Sequence, residues 1–108
     1  MKFDALKEKI TGELKKIYDP EIPVNIYDLG LIYRIDCANE SSGVKCVVTM
    51  TLTSAGCPVS ESLVGQVRNI GSLIDDQPNL TVEPNLVFDP PWSQDKMSIE
   101  AKLQLGML

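Results

Sequence analysis

At 108 residues, the chain has room for one domain with one packed core, and not for two. Hydrophobic residues make up 44% and charged residues 23%, which is typical of a globular protein. The formal net charge of −5, with no basic cluster to offset it, argues against a protein that binds nucleic acid or anionic membranes.

Segments for membrane insertion or export are not expected either. No apolar run approaches the length of a membrane span, and the N-terminus lacks a signal-peptide core, so we expect a cytoplasmic protein. Histidine is absent, which excludes Cys-His and Ser-His catalysis and any His-ligated metal site. The three cysteines form no C-x-x-C pair, so we expect neither a disulfide scaffold nor a zinc site built by one chain.

The first predicted element is an amphipathic helix close to the N-terminus. Its apolar residues recur at three- and four-residue spacing and are Phe3, Leu6, Ile10, Leu14 and Ile17. The helix should end around Tyr18, because Pro20 disfavours helical geometry in the residue before it.

The loop from Asp19 to Gly30 carries carboxylates among apolar residues and is expected to pack across the edge of the domain. Asp19, Glu21 and Asp28 are candidates for acids, bases or metal ligands. The alternative is that the aspartates cap turns and that the glutamate is solvated. The sequence leaves both interpretations open.

Two β-patterned runs follow, from Leu31 to Cys37 and from Val44 to Leu52. Large apolar residues alternate with other residues in both runs, and the link between them is short and rich in turn residues, so the pair is predicted to form a hairpin. Cys37 and Cys46 share the phase of the large apolar residues, so we interpret both as small core residues.

A turn then joins the second strand to a second amphipathic helix, Val59 to Ile74; its sequence is Thr53-Ser54-Ala55-Gly56-Cys57-Pro58. Pro58 suits the first helical position, which places Cys57 at or next to the N-cap. There the positive end of the helix lowers the pKa of a thiol and favours the thiolate, which attacks electrophiles or binds metal. Gly56 permits a sharp turn and leaves the sulfur approachable. The alternative is that Cys57 is only a small residue in a strand-to-helix turn.

The last third of the chain is predicted to form a strand and a short helix. Leu80 to Phe88 suggests a third strand, in which Pro84 implies an edge position or an irregularity. Trp92, in a proline-rich loop, is interpreted either as a lid over the Cys57 turn or as an anchor for the last helix. That helix should begin at Ser98, which can cap it, and stop at Gly106.

The predicted order is therefore α-β-β-α-β-α in one domain, residues 1–108. This order is typical of a compact two-layer α+β fold, with helices on one face of a three-stranded mixed sheet.

Four stretches of sequence carry a family resemblance. They are Asp19-Pro20-Glu21-Ile22-Pro23; Asp28-Leu29-Gly30-Leu31-Ile32; Met50-Thr51-Leu52-Thr53-x-x-Gly56-Cys57-Pro58; and Pro90-Pro91-Trp92 with Met97-Ser98 and Ala101-Lys102-Leu103-x-Leu105-Gly106. Their order and spacing closely resemble the SufT/PaaD-type iron–sulfur assembly family. The resemblance implies the fold of the iron–sulfur cluster assembly superfamily, and a role as an accessory or carrier factor rather than a sulfur-mobilising enzyme.

The resemblance also implies roles for individual residues. The family's reactive cysteine maps onto Cys57, its preceding threonine onto Thr53, its acidic loop position onto Asp19, and the aspartate of its Asp-Leu-Gly segment onto Asp28. Members that act in phenylacetate oxidation carry an additional cysteine-rich C-terminal tail. The sequence ends at Leu108 without such a tail, so we do not expect that specialised role.

Three functional hypotheses follow. In the first, the Cys57 thiolate transiently ligates iron or an iron–sulfur cluster, which is not tightly bound. Because a cluster usually needs four protein ligands, the site would be shared in a homodimer, or with assembly proteins and recipient apo-proteins.

In the second hypothesis, the chain is a thiol-transfer enzyme and Cys57 is its nucleophile. Thr53 or Ser54 would donate a hydrogen bond to the thiolate, and Asp28 would move a proton. In the third, Trp92 and the segment from Ile22 to Leu29 form the contact surface of an adaptor.

Overall fold

The structure, a computed structural model, describes residues 3–19, 23–52, 60–74, 77 and 79–106. Its elements are helix α1 (Asp4–Leu14), strands β1 (Ile32–Glu40) and β2 (Gly43–Met50), helix α2 (Ser60–Leu73), strand β3 (Leu80–Leu86) and helix α3 (Ile99–Gln104). The predicted order of helices and strands is confirmed. A 3₁₀ turn, Gln94–Lys96, precedes α3 and was not predicted.

The boundaries differ most from the predictions at two places. The first helix ends at Leu14 rather than near Tyr18, although Ile17 still packs into the core. Strand β1 continues to Glu40, so the hairpin turn contains only residues 41 and 42. Ser98 caps α3 as predicted, since its Oγ accepts a hydrogen bond from the Ala101 N–H at 3.1 Å.

The sheet has the order β1-β2-β3, with β2 in the centre. Strands β1 and β2 form the predicted antiparallel hairpin, whereas β2 and β3 are parallel and α2 lies between them in the chain. The sheet is therefore mixed. Pro84 pairs with Val48 within β3, which is an edge strand, and this confirms the position predicted from the proline.

The core lies on one face of this sheet. Cys46, Val48 and Met50 are each 0% exposed and alternate along β2 with residues of the opposite face. They join the apolar stripes of the two long helices in one cluster, which includes Leu6, Ile10 and Leu14 of α1 and Leu63, Val67 and Ile70 of α2. Full burial of each such side chain contributes roughly 1.5–3 kcal/mol, so this face holds the domain together.

The two cysteines of the hairpin correct an expectation from the sequence. Cys46 is buried and Cys37 packs against the core, as predicted, but the two sulfurs form a disulfide, and no disulfide was expected. The physical reason is the strand register, in which the residues face each other with Cα atoms 4.0 Å apart. Directly opposed residues of an antiparallel pair bring their side chains together whatever their spacing in the sequence.

The loop before β1 packs into the domain as predicted. Val24, Ile26, Leu29 and Leu31 are at most 1% exposed. The loop is tied to the end of α1, because the Ile26 N–H donates to the Ile17 carbonyl at 2.8 Å and Tyr18 forms a β-bridge with Asn25. None of the helices in the described ranges has the length and apolar character that crossing a membrane requires.

Candidate functional site

Two of the candidate residues that the structure describes, Asp28 and Trp92, lie near one end of the sheet. At this end β1 begins, and β2 and β3 finish, since Ile32 pairs with Met50 and Met50 with Leu86. The chain beyond β2 is held there by a hydrogen bond of 2.8 Å from the Thr51 N–H to the Leu31 carbonyl. Leu52, the next residue, is buried.

The central prediction lies outside the described residues. Cys57 and its neighbours Thr53, Ser54, Gly56 and Pro58 are not among them, and neither is Glu21, so their predicted roles stay predictions. The structure does describe what flanks residues 53–59, which is the end of β2 on one side and the start of α2 at Ser60 on the other. The Cys57 segment is therefore preceded by a strand and followed by a helix, as predicted.

Asp28 is part of a turn network. One of its carboxylate oxygens accepts a hydrogen bond from the Asn25 side-chain amide at 2.8 Å, and its own N–H donates to the Asn25 Oδ1 at 2.9 Å. Its carbonyl accepts from the Ser98 N–H at 2.8 Å. The turn-stabilising role is therefore present. A carboxylate offers about four acceptor positions, so Asp28 retains capacity for a further partner.

Asp19 belongs to the same loop but lies deeper. It is 6% exposed, and its N–H donates to the Val24 carbonyl at 3.4 Å, beside the bridge between Tyr18 and Asn25. Asn25, which contacts Asp28, is thus the bridge partner of Tyr18, the residue that precedes Asp19. The two predicted acidic positions are connected through one loop rather than scattered over the surface.

Trp92 fastens the C-terminal segment to this loop. Its indole Nε1 donates to the Leu29 carbonyl at 2.8 Å, and the ring packs against the core. The neighbouring Gly30 has φ +87°, and a Cβ there would collide with the carbonyl group of Lys96. The anchoring interpretation of Trp92 thus has a defined contact, whereas the lid interpretation concerns a turn outside the described residues.

Two threonines stand out that the sequence did not mark as site residues. Thr49 and Thr51 are 7% and 0% exposed, and the hydroxyl of each lacks a hydrogen-bond partner within the described ranges. Buried hydroxyls without partners are rare, and each calls for a cause. The only signal in the sequence is the alternation of two threonines with apolar residues at the end of β2, which equally suits an ordinary strand.

A complete metal site does not form in the part of the chain that the structure describes. Within it, no group of three or more Cys, Asp or Glu side chains is placed to hold a metal ion, and the sequence contains no histidine. Two of the three cysteines are bonded to each other in the hairpin, so Cys57 is the one cysteine left for ligand chemistry.

Comparison with known proteins identifies the family. Residues 7–70 match the family described as iron-sulfur cluster assembly protein. The chain belongs to that family. Among its curated relatives is the Fe-S protein maturation auxiliary factor YitW of Bacillus subtilis, 42% identical over 104 residues, which cover 96% of this chain and 97% of YitW. The Fe-S protein maturation auxiliary factor SufT of Staphylococcus aureus is 41% identical over 84% of this chain and 98% of its own length.

Further comparisons bear on the fold and on the PaaD resemblance. The crystal structure of a domain of unknown function, DUF59, from Bacillus anthracis superposes with a TM-score of 0.78 at 37% identity, over 97% of this chain and 95% of that one. An Escherichia coli protein named as one component of a 1,2-phenylacetyl-CoA epoxidase is 36% identical over 90% of this chain, but over only 55% of its own length. The iron–sulfur cluster assembly fold and the SufT/PaaD-like resemblance are both confirmed.

Proposed function

We propose that this chain is an accessory factor in the maturation of iron–sulfur proteins, and that it ligates iron or a cluster transiently through the Cys57 thiolate. The first part is supported by the family match and by relatives named Fe-S protein maturation auxiliary factors. Those names describe helpers of maturation, which favours a carrier or accessory role over catalysis.

The observation that carries the second part is the state of the cysteines. Cys46 is buried and bonded to Cys37 inside the hairpin, so these two sulfurs are committed to the fold. Reduction of the bond would still leave Cys46 with no exposed surface. One chain therefore offers one thiolate, while a cluster usually needs four protein ligands. A second copy of the chain, an assembly protein or a recipient apo-protein must supply the others, which makes the site labile and the cargo transferable.

The position of Cys57 in the chain suits this role. It lies between the end of the central strand and the start of α2, and the N-terminus of a helix favours a thiolate over a thiol. No imidazole is present to take up the thiol proton, so the helix end and neighbouring hydroxyls would have to favour the thiolate. We place this activity in the cytoplasm, where cluster-dependent enzymes would receive the cargo.

The test uses cells that lack the native protein and carry either the wild-type chain, Cys57→Ser, or the double variant Cys37→Ala/Cys46→Ala. We expect Cys57→Ser to fail in restoring the activity of cluster-dependent enzymes. The double variant, which keeps Cys57, should restore it once its expression level is matched. Full restoration by Cys57→Ser would contradict ligation by this thiolate.

A second candidate function is an adaptor that binds partners without holding cargo. The contact surface predicted from the sequence does not serve, because Val24, Ile26 and Leu29 are at most 1% exposed and the Trp92 ring packs against the core. The adaptor function is favoured instead by two exposed apolar side chains one turn apart on α3, Ile99 at 68% and Leu103 at 60% exposure. Retained partner binding together with retained cellular function in Cys57→Ser would support this function. A replacement of Ile99 and Leu103 by serine would then abolish both.

Thiol transfer by Cys57 remains the enzymatic alternative and is tested chemically. The protein is exposed to persulfide and acyl donors, and its mass is measured before and after. A Cys57-dependent mass increase would favour transfer, and an unmodified protein would exclude it.

A further inference from the structure

The disulfide of the hairpin is a reactive group that the proposed function does not use. Cys37 and Cys46 face each other across β1 and β2, with their Cα atoms 4.0 Å apart. Ligation of the cargo is assigned to Cys57, so the bonded pair has so far been given only a structural role. The surroundings of the two sulfurs, however, are not equivalent.

Cys46 lies in the interior of the domain. It belongs to the central strand and is 0% exposed. On its far side it pairs with Val82 of β3, which is itself 1% exposed. A dissolved thiol therefore has no route to the Cys46 sulfur while the core is intact.

Cys37 lies at the margin of the sheet. It belongs to β1, which has no further neighbouring strand within the described ranges, and its side chain is only partly buried. Two small hollows between β1 and α1 flank it, one of about 300 Å³ lined by Asn39 and one of about 250 Å³ lined by Ile35. Both residues are two positions from Cys37 and share its face of the sheet. The margin is thus open on both sides of this cysteine.

The direction of attack selects the same sulfur. In thiol–disulfide exchange, the incoming thiolate approaches the attacked sulfur in line, from the side opposite the sulfur that leaves. The bond crosses from β1 to β2, so an in-line approach to Cys37 comes from beyond the free edge of β1. An in-line approach to Cys46 would have to pass through β3 at Val82. Access therefore directs exchange to Cys37.

The folded domain does not depend on this bond alone. The two strands are paired from Ile32 to Glu40 and from Gly43 to Met50, and the core cluster also includes both long helices. Free cysteines behave as small apolar residues, so both remain suited to their positions after reduction. Exchange at Cys37 consequently requires no unfolding of the core.

The compartment proposed for this protein gives the bond a reason to be reversible. In the cytoplasm, thiol reductants keep most cysteines reduced, and the disulfides found there are usually transient and redox-sensing. This step rests on the proposed function and its location, whereas the selection of Cys37 rests on the geometry of the hairpin.

We propose that Cys37 and Cys46 form a reversible redox couple, in which Cys37 exchanges with external thiols and Cys46 is the resolving cysteine. A thiolate of a dithiol reductant attacks the Cys37 sulfur, and Cys46 leaves as a thiolate that takes up a proton. The second thiolate of the reductant attacks its own sulfur in the mixed disulfide and releases Cys37, which also takes up a proton. Two electrons and two protons have then passed to the hairpin, and the reductant has become a disulfide.

Oxidation follows the same path in reverse. The Cys37 thiolate attacks an external disulfide, such as glutathione disulfide, and one glutathione leaves. The Cys46 thiolate, which lies directly opposite, then attacks the Cys37 sulfur and expels the second glutathione. A lasting mixed disulfide at Cys37 is therefore expected only where Cys46 has been removed.

The first test is reduction of the folded protein. Cys57→Ser serves as the background, so that the hairpin pair holds the only cysteines. The protein is equilibrated with mixtures of reduced and oxidised dithiothreitol, quenched with acid, alkylated and weighed by mass spectrometry. We expect reduction and reoxidation without denaturant, in one two-electron transition with the same midpoint from both directions. A bond that opens only in urea would overturn the proposal.

The second test identifies the sulfur that exchanges. In the same background, Cys46→Ala leaves only Cys37 and Cys37→Ala leaves only Cys46, and each variant is treated with glutathione disulfide. We expect the mixed disulfide to form at least about tenfold faster on Cys37, and the difference to vanish in urea, where burial no longer protects Cys46. Equal rates in the folded variants, or a preference that persists in urea, would overturn the assignment of Cys37.

A third measurement leaves the hairpin unaltered, in case an alanine variant fails to fold. The reduced Cys57→Ser protein is treated with a limiting amount of iodoacetamide and then digested with trypsin. Cleavage after Arg34 and Lys45 places the two cysteines on separate peptides, 35–45 and 46–68. We expect the first alkylation on 35–45, and a first alkylation on 46–68 would overturn the assignment. Neither result depends on whether Cys57 ligates iron.

Discussion

At the scale of single residues, the buried threonine next to the Cys57 segment is informative. Thr51 is 0% exposed, and its hydroxyl has no partner among the residues described. Its backbone N–H donates to Leu31, so the residue itself is fixed at the end of the sheet. The desolvation of this hydroxyl on folding is therefore not compensated by a hydrogen bond to any described residue.

Thr51→Val should therefore leave the free energy of unfolding unchanged, or raise it by up to about 1 kcal/mol. Urea unfolding of the variant and of the wild type measures the difference. The exposed Thr81 of β3 provides a matched control, since Thr81→Val also replaces a hydroxyl by a methyl group, but at a position in contact with water. A loss of more than about 1 kcal/mol in Thr51→Val would show that the hydroxyl does bind a partner, contrary to the expectation.

Gly30 is the residue that permits the C-terminal segment to dock. Its φ of +87° is unfavourable for other residues, and an added Cβ would overlap the Lys96 carbonyl group. Gly30→Ala should lower the free energy of unfolding by about 1–3 kcal/mol. Thermal unfolding measures this loss. The fluorescence of Trp92, the only tryptophan in the chain, reports whether the anchor to Leu29 has been released.

Gly12 is the matched control for this substitution. It lies within α1, and nothing lies within 4 Å of a Cβ added there. Gly12→Ala should raise the free energy of unfolding by about 0.5–1 kcal/mol, because alanine is the better helix former. Equal effects of the two substitutions would contradict the close contact between Gly30 and Lys96.

At the scale of the elements, the hairpin is fastened by its disulfide. Cys37 and Cys46 are separated by nine positions in the sequence, so the bond closes a short loop of the unfolded chain. In the chain-entropy account, such a loop is worth about 2–3 kcal/mol. Reduction should lower the free energy of unfolding by that amount in urea titrations. The double variant Cys37→Ala/Cys46→Ala should show no response to reductant, and a response of the same size there would assign the effect to something else.

The ion pair between Lys45 and Glu83 links β2 to β3 on the open face, with the nitrogen and oxygen 2.8 Å apart. The hydrogen bond from Lys45 lowers the pKa of Glu83 below its usual 4.5, with the lysine's charge as a further cause. The same hydrogen bond raises the pKa of Lys45 above its usual 10.5.

The directions of these two pKa shifts determine how the contribution of the ion pair to the stability of the fold depends on pH. For Glu83 the contribution is complete above the unfolded pKa of about 4.5 and is lost as the pH falls through the lower folded pKa. For Lys45 it is complete below about 10.5 and is lost as the pH rises through the higher folded pKa. Because both side chains are partly exposed, the effect is small.

Glu83→Gln should consequently unfold at a slightly lower temperature than the wild type at pH 7. The two midpoints should converge as the pH falls below about 4.5 and through the lower folded pKa of Glu83, since the wild-type carboxylate then becomes protonated. Melting curves at several acidic pH values measure this. A difference that stays the same throughout the acidic range would point to packing rather than to the ion pair.

At the scale of the whole molecule, the sequence predicted the elements that depend on local patterns. The order of elements and the hairpin followed from apolar periodicity, and the edge position of β3 was one of the two alternatives that Pro84 implied. The features that the sequence could not predict depend on strand register and on contacts between segments that are far apart in the chain. The disulfide depends on the turn that places Cys37 opposite Cys46.

In the candidate site, too, individual residues could be identified from the sequence, whereas their contacts with distant parts of the chain could not. Asp28 and Trp92 were identified from sequence, but their contacts with Asn25 and Leu29 were not. A groove of about 810 Å³, lined by Arg34, Thr49 and Asn85 among others, was not predicted, because it requires one residue from each strand and a wall from the C-terminal segment. Such combinations join positions far apart in the chain, and local patterns carry no information about them.

The central claim is that Cys57 ligates iron or a cluster in a site shared between chains. Anaerobic titration with iron and sulfide tests it most directly, with absorbance and oligomeric mass followed together. Wild type and Cys37→Ala/Cys46→Ala should develop a chromophore as dimers form, and Cys57→Ser should develop none. The same chromophore in Cys57→Ser would contradict ligation by Cys57, and its absence from the wild type would contradict a site shared between two copies of this chain.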